Sequence, residues 1–407
     1  MLIFSLLRKP KVRLKKNANF KIQKMYFLQI RIDYLYIFNC IQILLKLVEM
    51  FKILQFSISV IWMFSTISMT SQNNSTQDID IKGRIIEADT KEFIPFAHIF
   101  FEGTLNGTTS DENGYFVLKL SEASNKPLII SSVGYKTKTL TNYSSNSEIT
   151  IALEKNIYML EDFEILADNL PTKRKLRMFK AYFLGTSNNA EDTEIINPEV
   201  LNFFYDKKTN TLNASATEPI KIDNHALGYR ILYYLENFKA STDNVEYTGN
   251  YYFEELPVDK SDEREKILIR RFQTYKGSRL HLIRSIWNNS LKQDGFTLFY
   301  TNYKKIKLKE VITDLPTGEK IICLSPGAII YYGDMNQSTT YFGDMNQSAT
   351  YYGDARPSEK SYLLQQENCT KIDKDGYYDP KTVKWSGQMS EKRVADLLPY
   401  EYLPYKK

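Results

Sequence analysis

Cysteine and histidine are scarce in this chain, with three of each among 407 residues. Cys40, Cys323 and Cys369 form no C-x-x-C pair and no Cys/His cluster, which excludes a zinc finger or a disulfide-dense scaffold and allows at most one bridge within the folded part. A zinc peptidase of the H-x-x-E type needs a glutamate three residues after a histidine. The positions following His98, His225 and His281 hold Phe101, Gly228 and Arg284. Phosphate loops, dinucleotide fingerprints and G-x-S-x-G elbows are also missing. No cofactor and no metal is therefore expected.

A basic body is lacking as well. The formal net charge is +5, yet residues 1–49 hold ten Lys/Arg against Asp33 and Glu49, and Lys52 adds one more positive charge. Residues 72–407 are left at −4. A footprint for a phosphate backbone is absent there, so nucleic acid is not an expected partner.

What is present begins with an export pattern. Met50 and Lys52 precede an uncharged apolar stretch from Ile53 to Ile67, followed by Ser68, Thr70 and Ser71 and then the polar Gln72-Asn73-Asn74-Ser75. That order predicts a signal peptide over 50–71 with cleavage near Ser71. The apolar core is about 15 residues, short of the roughly 20 that span a bilayer. A retained anchor is the rival reading, and membrane contact is expected only through an uncleaved N-terminal segment. Residues 1–49 mix basic and apolar runs, and the simplest account is a start at Met50 with a mis-assigned extension upstream; a second membrane-associated helix is the alternative. The expected location is the periplasm or the outer membrane and cell surface.

Residues 78–155 carry short alternating runs separated by turns: Ile79, Ile81, Gly83 and Ile85; Ala97, Ile99 and Phe101; Tyr115 to Leu120; Pro127 to Ile130; Tyr135 to Leu140; and Ile149 to Leu153. Asn113-Gly114 between two such runs is a hairpin signal, because Asn-Gly accommodates positive φ. The pattern predicts a small β-sandwich. Asp111-Glu112-Asn113-Gly114 and Asp373-Lys374-Asp375-Gly376 superficially resemble calcium loops. Both lack the closing bidentate acid, so turns are expected.

The residues Gly83, Pro95, Ala97, Gly103, Gly107-Thr108, Ser110-Asp111, Gly114, Phe116 and Gly134-Tyr135 resemble the carboxypeptidase-regulatory-like domain. The resemblance implies a transthyretin-like (prealbumin-like) sandwich, an envelope address in Bacteroidota, and an accessory role without peptidase activity.

Residues 156–171 read as a linker, and 172–407 as a larger mixed α+β domain with an antiparallel sheet. Helices are predicted at Lys173–Leu184 and across Asp259–Lys292 with a break at Gly277, and strands at 211–217, 228–240, 245–256, 296–300 and 320–324. This half resembles a region that follows the same module in many Bacteroidota proteins, through Asn197-Pro198-Glu199, Leu227-Gly228-Tyr229, Tyr275-Lys276-Gly277-Ser278 and Arg393 to Pro399. No activity is implied by it. A decapeptide beginning Tyr331-Tyr332-Gly333-Asp334 is nearly repeated from Tyr341 and Tyr351, giving an insertion over 331–358 that slippage explains more simply than a sugar-binding tyrosine ladder. About 336 residues after cleavage, interrupted by helices, do not suit a 22-stranded outer-membrane barrel.

Among the histidines, His98 is expected on the solvent side of its strand and His225 in a turn. His281 shares a helix face with Ser278 and Arg284, a constellation that could serve a hydrolase but lacks an oriented acid, so helix packing is the favoured role. The resulting expectation is an exported, non-enzymatic envelope protein that engages a protein or glycan partner. A hydrolase around Ser278, His281 and Arg284 is the alternative, and assembly through exposed sandwich edges a third.

Overall fold

A computed structural model describes residues 79–120, 126–141, 143, 148–156, 170–316, 318–333 and 359–404, with isolated positions 46, 50 and 52. The 50–71 stretch expected to be a signal peptide (apart from Met50 and Lys52), most of the 156–171 linker and most of the decapeptide insertion lie outside the described residues. Residues 76–407 form one compact unit. It is mostly β with several antiparallel sheets and a few helices.

The first seven strands are β1 (Ile79–Glu87), β2 (His98–Phe101), β3 (Gly107–Thr109), β4 (Tyr115–Leu120), β5 (Leu128–Ser131), β6 (Lys138–Leu140) and β7 (Glu148–Leu153). They make two sheets, β4-β1-β7 and β3-β2-β5-β6. Alternation turns Ile81, Ile85, Ile99, Phe101, Phe116, Leu118 and Ile130 into the space between them, where all are buried. Gly83 is required by close approach: a Cβ there would stand 2.2 Å from the Ile149 carbonyl oxygen on β7. The Asp111 turn closes as an Asx turn, with Oδ1 accepting from the amides of Asn113 (2.9 Å) and Tyr115 (2.8 Å). Asp373 repeats that geometry with Asp375 and Tyr377, both at 2.9 Å.

The chain continues through α1 (Thr172–Phe183), β8 (Thr193–Ile195), β9 (Leu201–Asp206), β10 (Thr211–Ala216), β11 (Ile220–Asn224), β12 (Tyr229–Ala240) and β13 (Val245–Glu255). These strands form an antiparallel sheet in the order β8-β11-β12-β10-β9, with β13 on β12. A register shift between Leu235 and Asn237 changes the phase of β12. Ile231 and Tyr233 before it and Phe238 and Ala240 after it therefore share one core. Phe179 and Phe183 of α1 stack at 4.8 Å and cover that face, meeting Phe238 and Tyr233.

The opposite face of β12 is also buried. Leu232, Tyr234 and Tyr252 pack on Phe100 and Ile129, which point outward from the sandwich. This corrects the expectation for His98: it is half-buried at the same seam, edge-on to Tyr234 at 5.8 Å, rather than on an open face. The seam seals Tyr234 Oη without a hydrogen-bond partner.

Two helices follow, α2 (Ser261–Tyr275) and α3 (Arg279–Trp287), then β14 (Phe296–Tyr300), β15 (Ile312–Asp314), β16 (Lys320–Ile322), β17 (Gly327–Tyr332), β18 (Glu359–Gln365), β19 (Thr370–Ile372) and β20 (Val383–Gly387). They build the sheets β14-β17-β18-β20 and β15-β16-β19 over a core that includes Leu282, Ile283 and Ile286 of α3. Cys323 and Cys369 form a disulfide between the end of β16 and the start of β19. Tyr332 pairs with Glu359, so the decapeptide repeats are inserted between two hydrogen-bonded strands.

The last described residues return across the molecule. Val394, Ala395, Leu398 and Tyr402 enter the α1 core, and the Tyr400 amide donates to the Gly103 carbonyl at 2.9 Å.

Candidate functional site

The Ser278, His281 and Arg284 constellation is a helix start. Gly277, at φ +66°, turns the chain out of α2, and Ser278 caps α3 by accepting from the His281 amide at 3.1 Å. The Ser278 hydroxyl thus faces a backbone N–H rather than the imidazole. His281 Nδ1 accepts from the Gly277 amide at 3.2 Å, which places the proton of the neutral ring on Nε2. Burial lowers this histidine to about 4, against the opposing pull of Asp294. Arg284 donates to three main-chain carbonyls, those of Asp375 (2.8 Å), Tyr402 (2.6 Å) and Tyr400 (2.8 Å). The arrangement fastens α3 to the C-terminal segment, and neither an activated hydroxyl nor an oriented general base is formed. His225 is exposed beside Glu194 at 3.7 Å.

A different set of side chains converges where the sandwich meets the rest of the chain. Glu102 leaves the end of β2, and Gly103 next to it is held on both sides. Its amide donates to the Tyr251 carbonyl at 2.8 Å, and its carbonyl accepts from Tyr400. Glu102 is thereby set between β13 and the C-terminal segment. Tyr233 and Tyr251 are cross-strand partners with rings stacked at 5.7 Å and nearly parallel. Tyr377 and Tyr400 meet edge-to-face at 5.7 Å.

The electrostatics tie these groups together. Burial raises the Glu102 carboxyl to about 7, and the charges of Glu236 and Asp379 push the same way while Lys381 opposes them. Burial holds the Tyr233, Tyr251 and Tyr400 hydroxyls well above the usual phenol range, and the charge of Glu102 adds to each. Tyr377 is raised in the same way.

Among the described residues, neither the Glu102 carboxylate nor the hydroxyls of Tyr233, Tyr251, Tyr377 and Tyr400 makes a hydrogen bond, and none of these oxygens is sealed from solvent. Polar atoms this deep are normally paired. These unpaired, incompletely sealed oxygens meet at the junction of the sandwich with the rest of the chain, here termed the Glu102 recess, and a junction between substructures is where ligand sites commonly form. Rings and oxygens of this kind can bind and orient. They offer no nucleophile, and no group of three or more His, Cys, Asp or Glu side chains among the described residues could hold a metal ion.

Sequence reasoning missed this recess. Its five residues come from β2, β12, β13, a loop near 377 and the C-terminal segment, and no spacing links them. The only local signal was the Glu-Gly pair after the buried apolar run Ile99-Phe100-Phe101, where a charge enters the interior.

Residues 81–165 match the family model of the CarboxypepD_reg-like domain, about a fifth of the chain. That domain is a regulatory, non-catalytic β-sandwich module. No curated protein matches the chain.

Proposed function

We propose that this is an exported, non-enzymatic envelope protein that uses its regulatory-like sandwich, at the Glu102 recess, to engage a protein or glycan partner. The observation that carries this reading is the set of unpaired, reachable oxygens on Glu102, Tyr233, Tyr251, Tyr377 and Tyr400. Export is supported by the leader-like stretch over 50–71 and by the Cys323–Cys369 disulfide, a bond that persists in oxidising compartments and is rare in the cytosol.

A photo-crosslinking amino acid at the exposed Lys381, whose charge acts on Glu102, compared with one at the exposed Lys208, tests the reading in intact cells and leaves the Glu102 carboxylate in place. The expected result is a discrete adduct from position 381 only, recovered with the periplasmic or outer-membrane fraction and carrying a chain cleaved near Ser71. Equal labelling from both positions, or recovery of uncleaved protein in the soluble cytosolic fraction, would overturn it.

A further inference from the structure

We infer that the occupant of the recess is an organic cation, the ammonium or guanidinium head of a basic side chain presented by a partner protein. This rests on the reading above and narrows it, placing a protein rather than a glycan at the site.

The first argument is an internal comparison. Elsewhere in the molecule, carboxylates removed from solvent have donors. Asp223 is bonded by Arg230 at 2.6 Å, Glu87 by Lys155 at 2.9 Å and by Tyr135 at 3.0 Å, Asp373 by Lys126 at 2.9 Å, and Asp396 by Asn189 and Ser187. Glu102 departs from that pattern, with no donor among the described residues. An unpaired carboxylate at depth is costly relative to a paired one, because desolvation is not offset by a partner charge. A site of this kind is completed by a positive charge.

The second argument is the sign of the surroundings. The charges acting on Glu102 are Glu236 and Asp379 against the single Lys381. Arg279 also acts on Tyr251, but its guanidinium already donates to the Met389 carbonyl at 3.1 and 2.9 Å. A neutral sugar would leave three carboxylates facing one lysine. A cation relieves that imbalance.

The third argument is the wall. Tyrosine rings attract cations through their faces, and the phenolic oxygens accept from N–H groups. Four tyrosines feel the charge of Glu102, one pair stacked and the other edge-to-face. A bare metal ion is disfavoured by the same list, because the described residues supply no set of three carboxylate or imidazole ligands. Residues 72–407 carry a net −4, which steers a basic partner toward this surface at distance.

The test is calorimetric titration of the full chain at pH 8 with acetyl-Gly-Arg-Gly-amide, acetyl-Gly-Lys-Gly-amide, the isosteric citrulline peptide and maltotriose. The expected result is saturable binding of the Arg or Lys peptide, at least tenfold tighter than citrulline. Glu102→Gln should weaken that binding at least tenfold, with thermal unfolding still cooperative. If Glu102→Gln fails to fold, Lys381→Glu at the exposed rim serves instead, and it should tighten the cationic peptide three- to fivefold. Binding of citrulline or maltotriose as tight as that of the cationic peptides would overturn the cation assignment while leaving a binding recess. Failure of every probe at 10 mM would overturn the assignment too, and the crosslink from position 381 then decides separately whether the recess binds at all.

Discussion

The ring of Tyr400 occupies the space that a side chain on Gly103 would need: a Cβ built on Gly103 stands 2.5 Å from the Tyr400 ring. The same two residues share a main-chain hydrogen bond of 2.9 Å. The C-terminal segment and the sandwich are thus fitted to each other through a missing side chain, and this contact sets Glu102 in the recess. Gly103→Ala should cost about 2–4 kcal/mol, from steric overlap added to a left-handed backbone at φ +71°. Gly134→Ala is the control, since Gly134 has φ +85° but nothing within 4 Å. It should cost about 1 kcal/mol. Equal costs in denaturant unfolding would mean that Tyr400 does not dock there.

The Cys323–Cys369 bridge closes a loop across a sequence separation of 46. Chain-entropy reasoning assigns such a loop about 4 kcal/mol, through restriction of the unfolded chain. Cys323→Ser with Cys369→Ser should lower stability by that order, and a reducing agent should do the same to the wild type. Alkylation with mass detection should find one modifiable thiol, Cys40, in any chain that retains residues 1–49, and none in a chain cleaved near Ser71. Wild-type stability indifferent to reductant would argue that the bridge is not formed in the native protein.

The first decapeptide unit begins within β17, where Tyr331 and Tyr332 belong to the strand, and Tyr332 is the register partner of Glu359 on β18. If slippage expanded a single hairpin, one unit is dispensable. Excising residues 341–350 should leave the β17–β18 pairing intact, and shortening the connection should change stability by about 0.5 kcal/mol or less. Loss of cooperative unfolding, or loss of the crosslink at position 381, would assign the repeat a role that the expansion reading denies it.

The sandwich was readable because its information is local: Asp111 to Tyr115 encodes its own turn, and Ile81, Ile85 and Leu118 alternate as a half-buried strand must. The α1 helix and β12–β13 were readable for the same reason, through helical spacing from Leu176 to Phe183 and long alternation from Tyr229. What sits on the second face of a strand is a tertiary fact. Phe100 and His98 looked outward-facing because alternation distinguishes two faces without saying which partner covers the other one. Glu102 was invisible for a related reason, since its neighbours arrive from positions 233, 251, 377 and 400. His281 and Arg284 lie on α3 while Ser278, expected on the same helix face, is the extended cap before it; the polar atoms of all three turn to the main chain, and the distant carbonyls of Tyr400 and Tyr402 are not deducible from i,i+3 spacing.

Glu102 and His281 should give the folded protein opposing pH slopes. Glu102 is raised from 4.5 to about 7, so between those values the native state binds more protons than the unfolded chain. Its contribution is therefore most favourable below about 4.5 and declines as pH rises toward 7. His281 is lowered from 6.5 to about 4, so in that window the unfolded chain binds more protons, and stability falls as pH drops from 6.5 toward 4. Glu102→Gln should consequently stabilise the protein at pH 8, by roughly 1–3 kcal/mol, and have little effect at pH 4.5. His281→Asn should flatten the acid limb while lowering stability at pH 8, because the Gly277 amide loses its imidazole acceptor. Chemical denaturation of the two variants and the wild type across pH 4 to 8 separates the two slopes. A Glu102→Gln protein that is less stable than wild type at pH 8 would show that the carboxylate is already paired in the free protein, and that the recess does not await a cation.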